Sequence, residues 1–306
     1  MSANEADDTN TMTMFCASCG TAAGDDIKLK KCTACYLVKY CSVKCQKEHR
    51  KQHKKECKKR AAELRDEILF KQSESSYLGD CPICCLPIPI DDVQKSGFYT
   101  CCSKRVCLGC SFANTKREII EGRLQPTCPF CRKALPKTDE EINERLMKRF
   151  EANDPAAMRY MGSKKNNERD YRTAFEYYSK AAALGIVEAH YRLSMMYDEG
   201  EGVEKDKKKW LYHLKEAAIG GHPFARHNLG RMERDNGHCD RAAKHLIIAA
   251  KLGVEDSLKC VKDLYEDGYV SKEDFTAALR GYQTAIAATK SPQREEAYAF
   301  YKSIGK

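Results

Sequence analysis

The sequence predicts a mainly α protein in which two small zinc-binding modules precede an α-solenoid of helix-turn-helix repeats. Three observations carry this. Sixteen of the 18 cysteines lie between Cys16 and Cys131, grouped at metal-ligand spacings. From about Asp154 the composition turns to Ala, Tyr, Leu and charge, and the stretches "SKAAALG", "LKEAAIGG" and "IIAAKLG" align on Gly185, Gly220 and Gly253, which lie 35 and 33 residues apart. A mean hydropathy of −0.64, with no apolar run near the roughly 20 residues a membrane helix needs, predicts a soluble chain without a membrane span.

Residues 1–14, polar and acidic, have neither the basic start nor the apolar stretch of a secretory signal and are expected to form a disordered tail. Without such a signal, so many cysteines point to a reducing compartment, cytoplasmic and/or nuclear, where thiols persist as metal ligands. The formal charge of +9 invites an acidic partner such as nucleic acid, but zinc ligands bind as thiolates. Seven thiolates and one neutral imidazole around two divalent ions leave −3, and eight thiolates around two more leave −4. The balance falls to about +2, and the basic stretches lack the interleaved aromatics that stacking on single strands requires. Nucleic acid is not the expected partner.

The first module spans 15–57. Its ligands come as Cys16-x-x-Cys19, Cys32-x-x-Cys35, Cys41-x-x-x-Cys45 and His53-x-x-x-Cys57. In "YCSVKCQKEHRKQHKKEC", Cys45, His49, His53 and Cys57 recur every fourth residue, so a helix carries them along one slowly drifting face. Cys45 and Cys57 would then stand roughly 18 Å apart at about 1.5 Å per residue, too far for one ion. Two tetrahedral sites follow, and interleaving them knots a segment with little apolar core. Cys16, Cys19, Cys41 and Cys45 are assigned to one zinc, and Cys32, Cys35, His53 and Cys57 to the other. The whole module resembles the MYND-type zinc finger, whose ligands alternate in this way. The resemblance implies binding of short proline-rich or disordered peptides, no catalytic activity, and a non-ligand role for His49. Arg50 stands where that family usually has an aromatic residue.

Residues 58–80 form a charged linker, with Leu64, Ile68 and Leu69 marking a short amphipathic helix that packs one finger against the other. The second module, 81–135, holds Cys81-x-x-Cys84, the cluster "CCSKRVCLGC" from Cys101 to Cys110, and Cys128-x-x-Cys131, again enough for two sites. The order resembles a RING finger, a cross-brace in which the first and third ligand pairs share an ion. That implies one site from Cys81, Cys84, Cys107 and Cys110. For the other, Cys102, Cys128 and Cys131 fit, but Lys104 stands where the family has His, and an ammonium offers no lone pair. Either the neighbouring Cys101 supplies the fourth thiolate, for four zinc ions in all, or the site is degenerate and the total is three. Cys85 is read as a buried or free thiol.

RING fingers dock a ubiquitin-conjugating enzyme and perform no covalent chemistry themselves, so the resemblance implies no catalytic residue. It places partner contacts at Ile83, between the first two ligands, at Pro129 of the final loop and at Arg132 after the last ligand. The helix "SFANTKREIIEG" lacks the tryptophan common in that groove.

A linker helix over 136–153 is expected from Ile142, Leu146 and Phe150, with Asp154-Pro155 as the cap and first position of the next. The repeats run over 154–290, about four units. Small residues before and after each glycine (Ala182, Ala217 and Ala250; Ala189, Ala225 and Ser257) let helices approach, and the glycine ends a helix in the left-handed conformation. Period and content resemble the Sel-like repeat, a relative of the tetratricopeptide repeat, which offers a surface to protein partners. Tyr177, Tyr178, Trp210 and Tyr212 are read as packing between repeats. His190, His213, His222, His227, His238 and His245 are read as ordinary residues without metal-like pairing, and 291–306 as a C-terminal helix or tail.

The function read from these parts is a zinc-binding protein-interaction molecule: a RING-type ubiquitin ligase or ligase subunit whose repeats and first finger recruit a protein target, or alternatively a non-catalytic scaffold. The glycine-rich cofactor loop and Asn-His pair of the methyltransferases found in some MYND proteins are not in the sequence.

Overall fold

A computed structural model describes residues 15–24, 26–72, 77–90, 96–123 and 125–305. The expected tail over 1–14 and parts of both finger regions lie outside the described residues. The chain divides into two compact units, Met1–Lys71 and Gln72–Lys306.

In the first unit, short strands β1 (Lys30–Lys31) and β2 (Lys39–Tyr40) pair antiparallel and lead into α1 (Val43–Phe70). Ser42 caps α1, its hydroxyl accepting from the Cys45 amide at 3.2 Å. The separate linker helix expected around Leu64 is the continuation of α1, because no Gly or Pro interrupts this run of good helix formers. Of its apolar residues Leu69 is buried and Ile68 is exposed. The core of the unit is a cluster of Cys16, Cys32, Cys35, Tyr40 and Cys45, largely sulfur rather than hydrocarbon.

The second unit begins with strands β3 (Gly97–Tyr99) and β4 (Lys104–Val106), again antiparallel, and helix α2 (Leu108–Ile120). Nine helices follow in an array: α3 (Asp139–Glu151), α4 (Pro155–Asn167), α5 (Tyr171–Ala183), α6 (Val187–Glu199), α7 (Lys207–Ile219), α8 (Pro223–Asp235), α9 (Cys239–Lys251), α10 (Glu255–Glu266) and α11 (Lys272–Ala288). Each packs on the next. Four helix pairs thus occupy 155–288. Asp154 caps α4 ahead of Pro155, accepting from the amides of Ala156 and Ala157. Buried Ala181, Ala182, Ala217, Ala218, Ala249 and Ala250 let the helices close up. Tyr178 is buried as expected of a packing residue, whereas Tyr212 is 55% exposed.

The last helix, α12 (Pro292–Ser303), turns away from the array and packs on α2 of the finger. Phe112 on α2 meets Phe300, ring centroids 5.0 Å apart, and Lys116 pairs with Glu296 at 2.6 Å.

Because successive helices run antiparallel, the connections after α3, α5, α7, α9 and α11 emerge on one edge of the array, and the second finger lies along that edge. Arg149 at the first connection donates to the carbonyls of Thr100 and Cys101 and to the Asp154 carboxylate. At the second and third, Tyr77 reaches Glu188 and His222. At the fourth, Ile90 sits over Gly253, where an added Cβ would lie 3.7 Å from the isoleucine Cδ1. At the fifth, Arg294 bridges the carbonyls of Thr289 and Pro87, both at 2.7 Å. The glycine-marked turns that reveal the repeat in the sequence are therefore the surface against which the finger is seated.

Candidate metal centres

Among the described residues, four groups of Cys and His hold their ligand atoms within 4.8 Å of one another: Cys16, Cys19, Cys41, Cys45; Cys32, Cys35, His53, Cys57; Cys81, Cys84, Cys107, Cys110; and Cys101, Cys102, Cys128, Cys131. The closest sulfur pairs include Cys19–Cys41 at 3.5 Å, Cys41–Cys45 at 3.6 Å, and Cys32–Cys57, Cys84–Cys107 and Cys102–Cys128 at 3.8 Å. A tetrahedron with Zn–S bonds of about 2.3 Å has edges of about 3.8 Å. A disulfide would bring sulfurs to about 2.05 Å. The donor chemistry and the spacing both fit zinc, and each site is filled by four protein ligands. Such a closed site has no open position for a substrate or activated water, so its chemistry is structural.

Local conformation explains why these residues converge. In Cys16–Cys19 and Cys32–Cys35 the chain closes on itself, with the amides of Gly20 and Tyr36 donating to the carbonyls of Cys16 and Cys32, and Tyr36 adopts φ 57°. His53 and Cys57 project from successive turns of α1, and the His53 Nε2 lies 3.1 Å from the Cys35 sulfur. Burial alone would raise the Cys16 thiol, but the amides of Cys19, Cys41 and Ser18 outweigh it and bring it down to about 6, while the sulfurs of Cys19, Cys45 and Cys16 push the Cys41 thiol of the same site up. His49 is outside both ligand groups: its Nδ1 meets the Tyr40 hydroxyl at 3.1 Å, and its ring stacks on His53.

In the second finger, Cys101 and Cys102 both face the fourth site. Adjacent ligands manage this because the chain reverses there, with the Ser103 amide bonded to the Tyr99 carbonyl at 2.8 Å and Ser103 at φ 53°. Cys131 and Cys101 lie 3.3 Å apart. Lys104 is exposed on β4, outside the ligand group. Cys85 is exposed rather than buried.

Ile83 is 41% exposed, and so, at 42%, is Phe130, which sits between Cys128 and Cys131 and which sequence reasoning passed over. Pro129 is buried. Arg132 folds back, donating to the Asn114 side-chain carbonyl on α2 at 2.9 Å, while the Asn114 amide donates to the Thr127 carbonyl at 3.2 Å.

Several groups that support the finger carried no signal of their role. Glu188 is buried and accepts from the Tyr77 hydroxyl at 2.7 Å and from Arg192 at 2.7 Å, with the His222 Nε2 at 3.2 Å. Burial pushes its carboxyl pKa up, but the His222 bond, the Arg192 charge and the Tyr77 hydroxyl overcome this and hold it well below the usual carboxylate range. His222 is sandwiched between Tyr77 and Tyr191, with centroids 4.4 and 4.1 Å away. His190 and His213, read from the sequence as ordinary residues without metal-like pairing, meet across α6 and α7 with their Nδ1 atoms 3.0 Å apart.

Four closed sulfur-rich sites and an array of antiparallel helix pairs define a zinc-finger protein with a repeat solenoid. Residues 16–57 match the MYND finger family, and residues 155–186 and 187–222 each match the Sel1 repeat. A protein from Mus musculus described as DAP3-binding cell death enhancer 1 is 28% identical over 53% of this chain and 39% of its own length. A protein of the same description from Rattus norvegicus is 33% identical over 53% of this chain and 40% of its own. The chain thus spans about two fifths of the length of these relatives. A solved Sel1 repeat protein from Oxalobacter formigenes superposes with a TM-score of 0.43 at 26% identity, over 50% of this chain and 66% of that one. No helix among the described residues is long and apolar enough to cross a membrane.

Proposed function

We propose that the chain is a protein-interaction adaptor in which zinc builds the N-terminal half and the Sel1 repeats receive a protein partner. The observation that carries this reading is the seating of the second finger along the tight-turn edge through Arg149, Tyr77 and Arg294. Finger and repeats present one fixed surface, which suits recognition of a folded partner without an ordering cost. The name of the rodent relatives makes a DAP3-type protein the first partner to try. Titration of purified DAP3 into the full-length, zinc-loaded chain by calorimetry tests it. Saturable binding that is lost after chelation is expected, and absence of heat at micromolar concentrations removes this partner.

A second reading, promotion of ubiquitin transfer, is favoured by the exposure of Ile83 and Phe130 beside the two sites of the second finger. Holding a conjugating enzyme's thioester in a reactive pose needs positioning rather than a nucleophile, so closed zinc sites are compatible with it. Autoubiquitination with a panel of conjugating enzymes decides the matter. The reading fails if no enzyme yields product, or if Ile83→Ala and Phe130→Ala leave the product undiminished.

A further inference from the structure

We infer that Arg294, on the last helix, is a positioning residue of the zinc site formed by Cys81, Cys84, Cys107 and Cys110, and that this site holds its ion firmly only when α12 is docked. Four thiolates around one divalent ion leave a net charge of −2, and three of these ligands are almost wholly buried, Cys81 at 0%, Cys107 at 1% and Cys110 at 4% exposure. Buried charge of one sign requires a compensating partner. Arg294, itself 2% exposed, supplies one. Its Nη2 donates to the Cys84 sulfur at 3.4 Å and to the Leu86 carbonyl at 3.1 Å, while Nη1 donates to the carbonyls of Pro87 and Thr289.

The planar guanidinium therefore does two things at once. It draws electron density from a ligand sulfur, which disfavours protonation or electrophilic attack there and slows release of the ion. It also fixes the loop from Cys84 to Pro87 against the turn between α11 and α12. A lysine, with a point charge and no fork, would satisfy only part of this.

The close approach is built into the other ligand loop as well. Gly109, between Cys107 and Cys110, lies so near the start of α12 that an added Cβ would meet Arg294 Cγ at 2.9 Å and its Cα and N at 3.0 Å. Both ligand pairs of this site thus rest on a residue about 200 positions away in sequence. Arg149, by contrast, ties the fourth site to the array through the backbone carbonyls of Thr100 and Cys101. It serves as an internal control for docking without a sulfur contact.

The test uses full-length, zinc-loaded protein. Zinc release to a chromogenic chelator is followed over time, native mass spectrometry counts the ions that remain, and ¹¹³Cd NMR of the cadmium-loaded protein separates the sites. Arg294→Met is expected to speed release of one ion by roughly 10- to 100-fold and to move one cadmium resonance, leaving the other ions unchanged. Arg149→Met is expected to leave that ion's release within about twofold of wild type. Arg294→Lys keeps the charge and stem and is the variant to use where Arg294→Met fails to fold; its release rate should exceed wild type by roughly threefold or more. The inference is overturned if the Lys variant matches wild type in rate and cadmium spectrum, or if Arg294→Met and Arg149→Met accelerate the same ions equally.

Discussion

Tyr77→Phe isolates one bond between the second finger and the repeats. The phenylalanine ring keeps the stack on His222, centroids 4.4 Å apart, and loses only the hydroxyl that donates to Glu188 at 2.7 Å. A hydrogen bond to a charged group contributes about 1.5–3 kcal/mol. Because Glu188 retains Arg192 and His222, the loss falls at the lower end, about 1.5–2 kcal/mol. For a unit of this size each kcal/mol moves Tm by roughly 2–4 °C, so a fall of about 3–8 °C is expected. Urea unfolding in the presence of zinc, followed by circular dichroism, measures the free energy. Glu188→Gln completes a double-mutant cycle, and a coupling of about 1 kcal/mol is expected if the hydroxyl and the carboxylate act as a pair. A Tyr77→Phe effect below about 0.5 kcal/mol, or a double variant additive within that margin, would refute the reasoning.

Native mass spectrometry of the full-length protein is expected to find four zinc ions, and Cys128→Ser, which removes a wholly buried ligand of the fourth site, to find three. Gly202→Ala places a Cβ 2.5 Å from the backbone carbonyl of Tyr171 at φ +69°, whereas Gly268→Ala at φ +82° meets nothing within 4 Å. Both carry the left-handed cost of about 1–2 kcal/mol, so thermal melts should show the Gly202 variant clearly less stable, and equal melts would discount the contact. Burial first, then the neighbouring His190 and Lys209, lowers the His213 imidazole to about 4 from an ordinary 6.5. The folded state therefore binds fewer protons than the unfolded one in that window. Its contribution is present above about pH 6.5 and is lost as pH falls toward 4, so His213→Phe should flatten the decline in stability between pH 7 and 5. Parallel declines for the two proteins would contradict this assignment.

What could be read from sequence was local in origin. Ligand pairs with two or three residues between them announce themselves, and α1 carries Cys45, His53 and Cys57 as the four-residue spacing requires. The glycine period is equally local, since a tight turn needs the same backbone freedom wherever it recurs: Gly185 and Gly253 have positive φ as expected, whereas in the middle repeat Gly220 stays at φ −70° and its neighbour Gly221 takes the left-handed conformation instead. The adjacent pair Cys101–Cys102 resisted reading because its solution is a conformation, Ser103 in the left-handed region, that no residue type there advertises. Arg149, Glu188 and Arg294 resisted it for a different reason. On a helix surface each looks like an ordinary solvated charge, and its partner is set by an element 34 to more than 200 residues away.

Those same three residues bear on where a partner can sit. A solenoid offers its helix faces and two edges, and within the unit Gln72–Lys306 the edge bearing the connections after α3, α5, α7, α9 and α11 is taken by the finger. The connections on the other edge include residues 200–206 between α6 and α7, where Gly200 and Gly202 both take positive φ, and residues 267–271 between α10 and α11, where Tyr269 is 52% exposed. Longer, irregular connections carry recognition more readily than tight turns, because side chains such as Tyr269 project from them even where Val203 and Val270 anchor the connection to the core. A partner that reads the repeats of this unit is therefore expected to contact this second edge, with the seated finger holding the array in one shape, so binding should weaken only modestly on Tyr77→Phe while failing when Tyr269 is replaced by Ala.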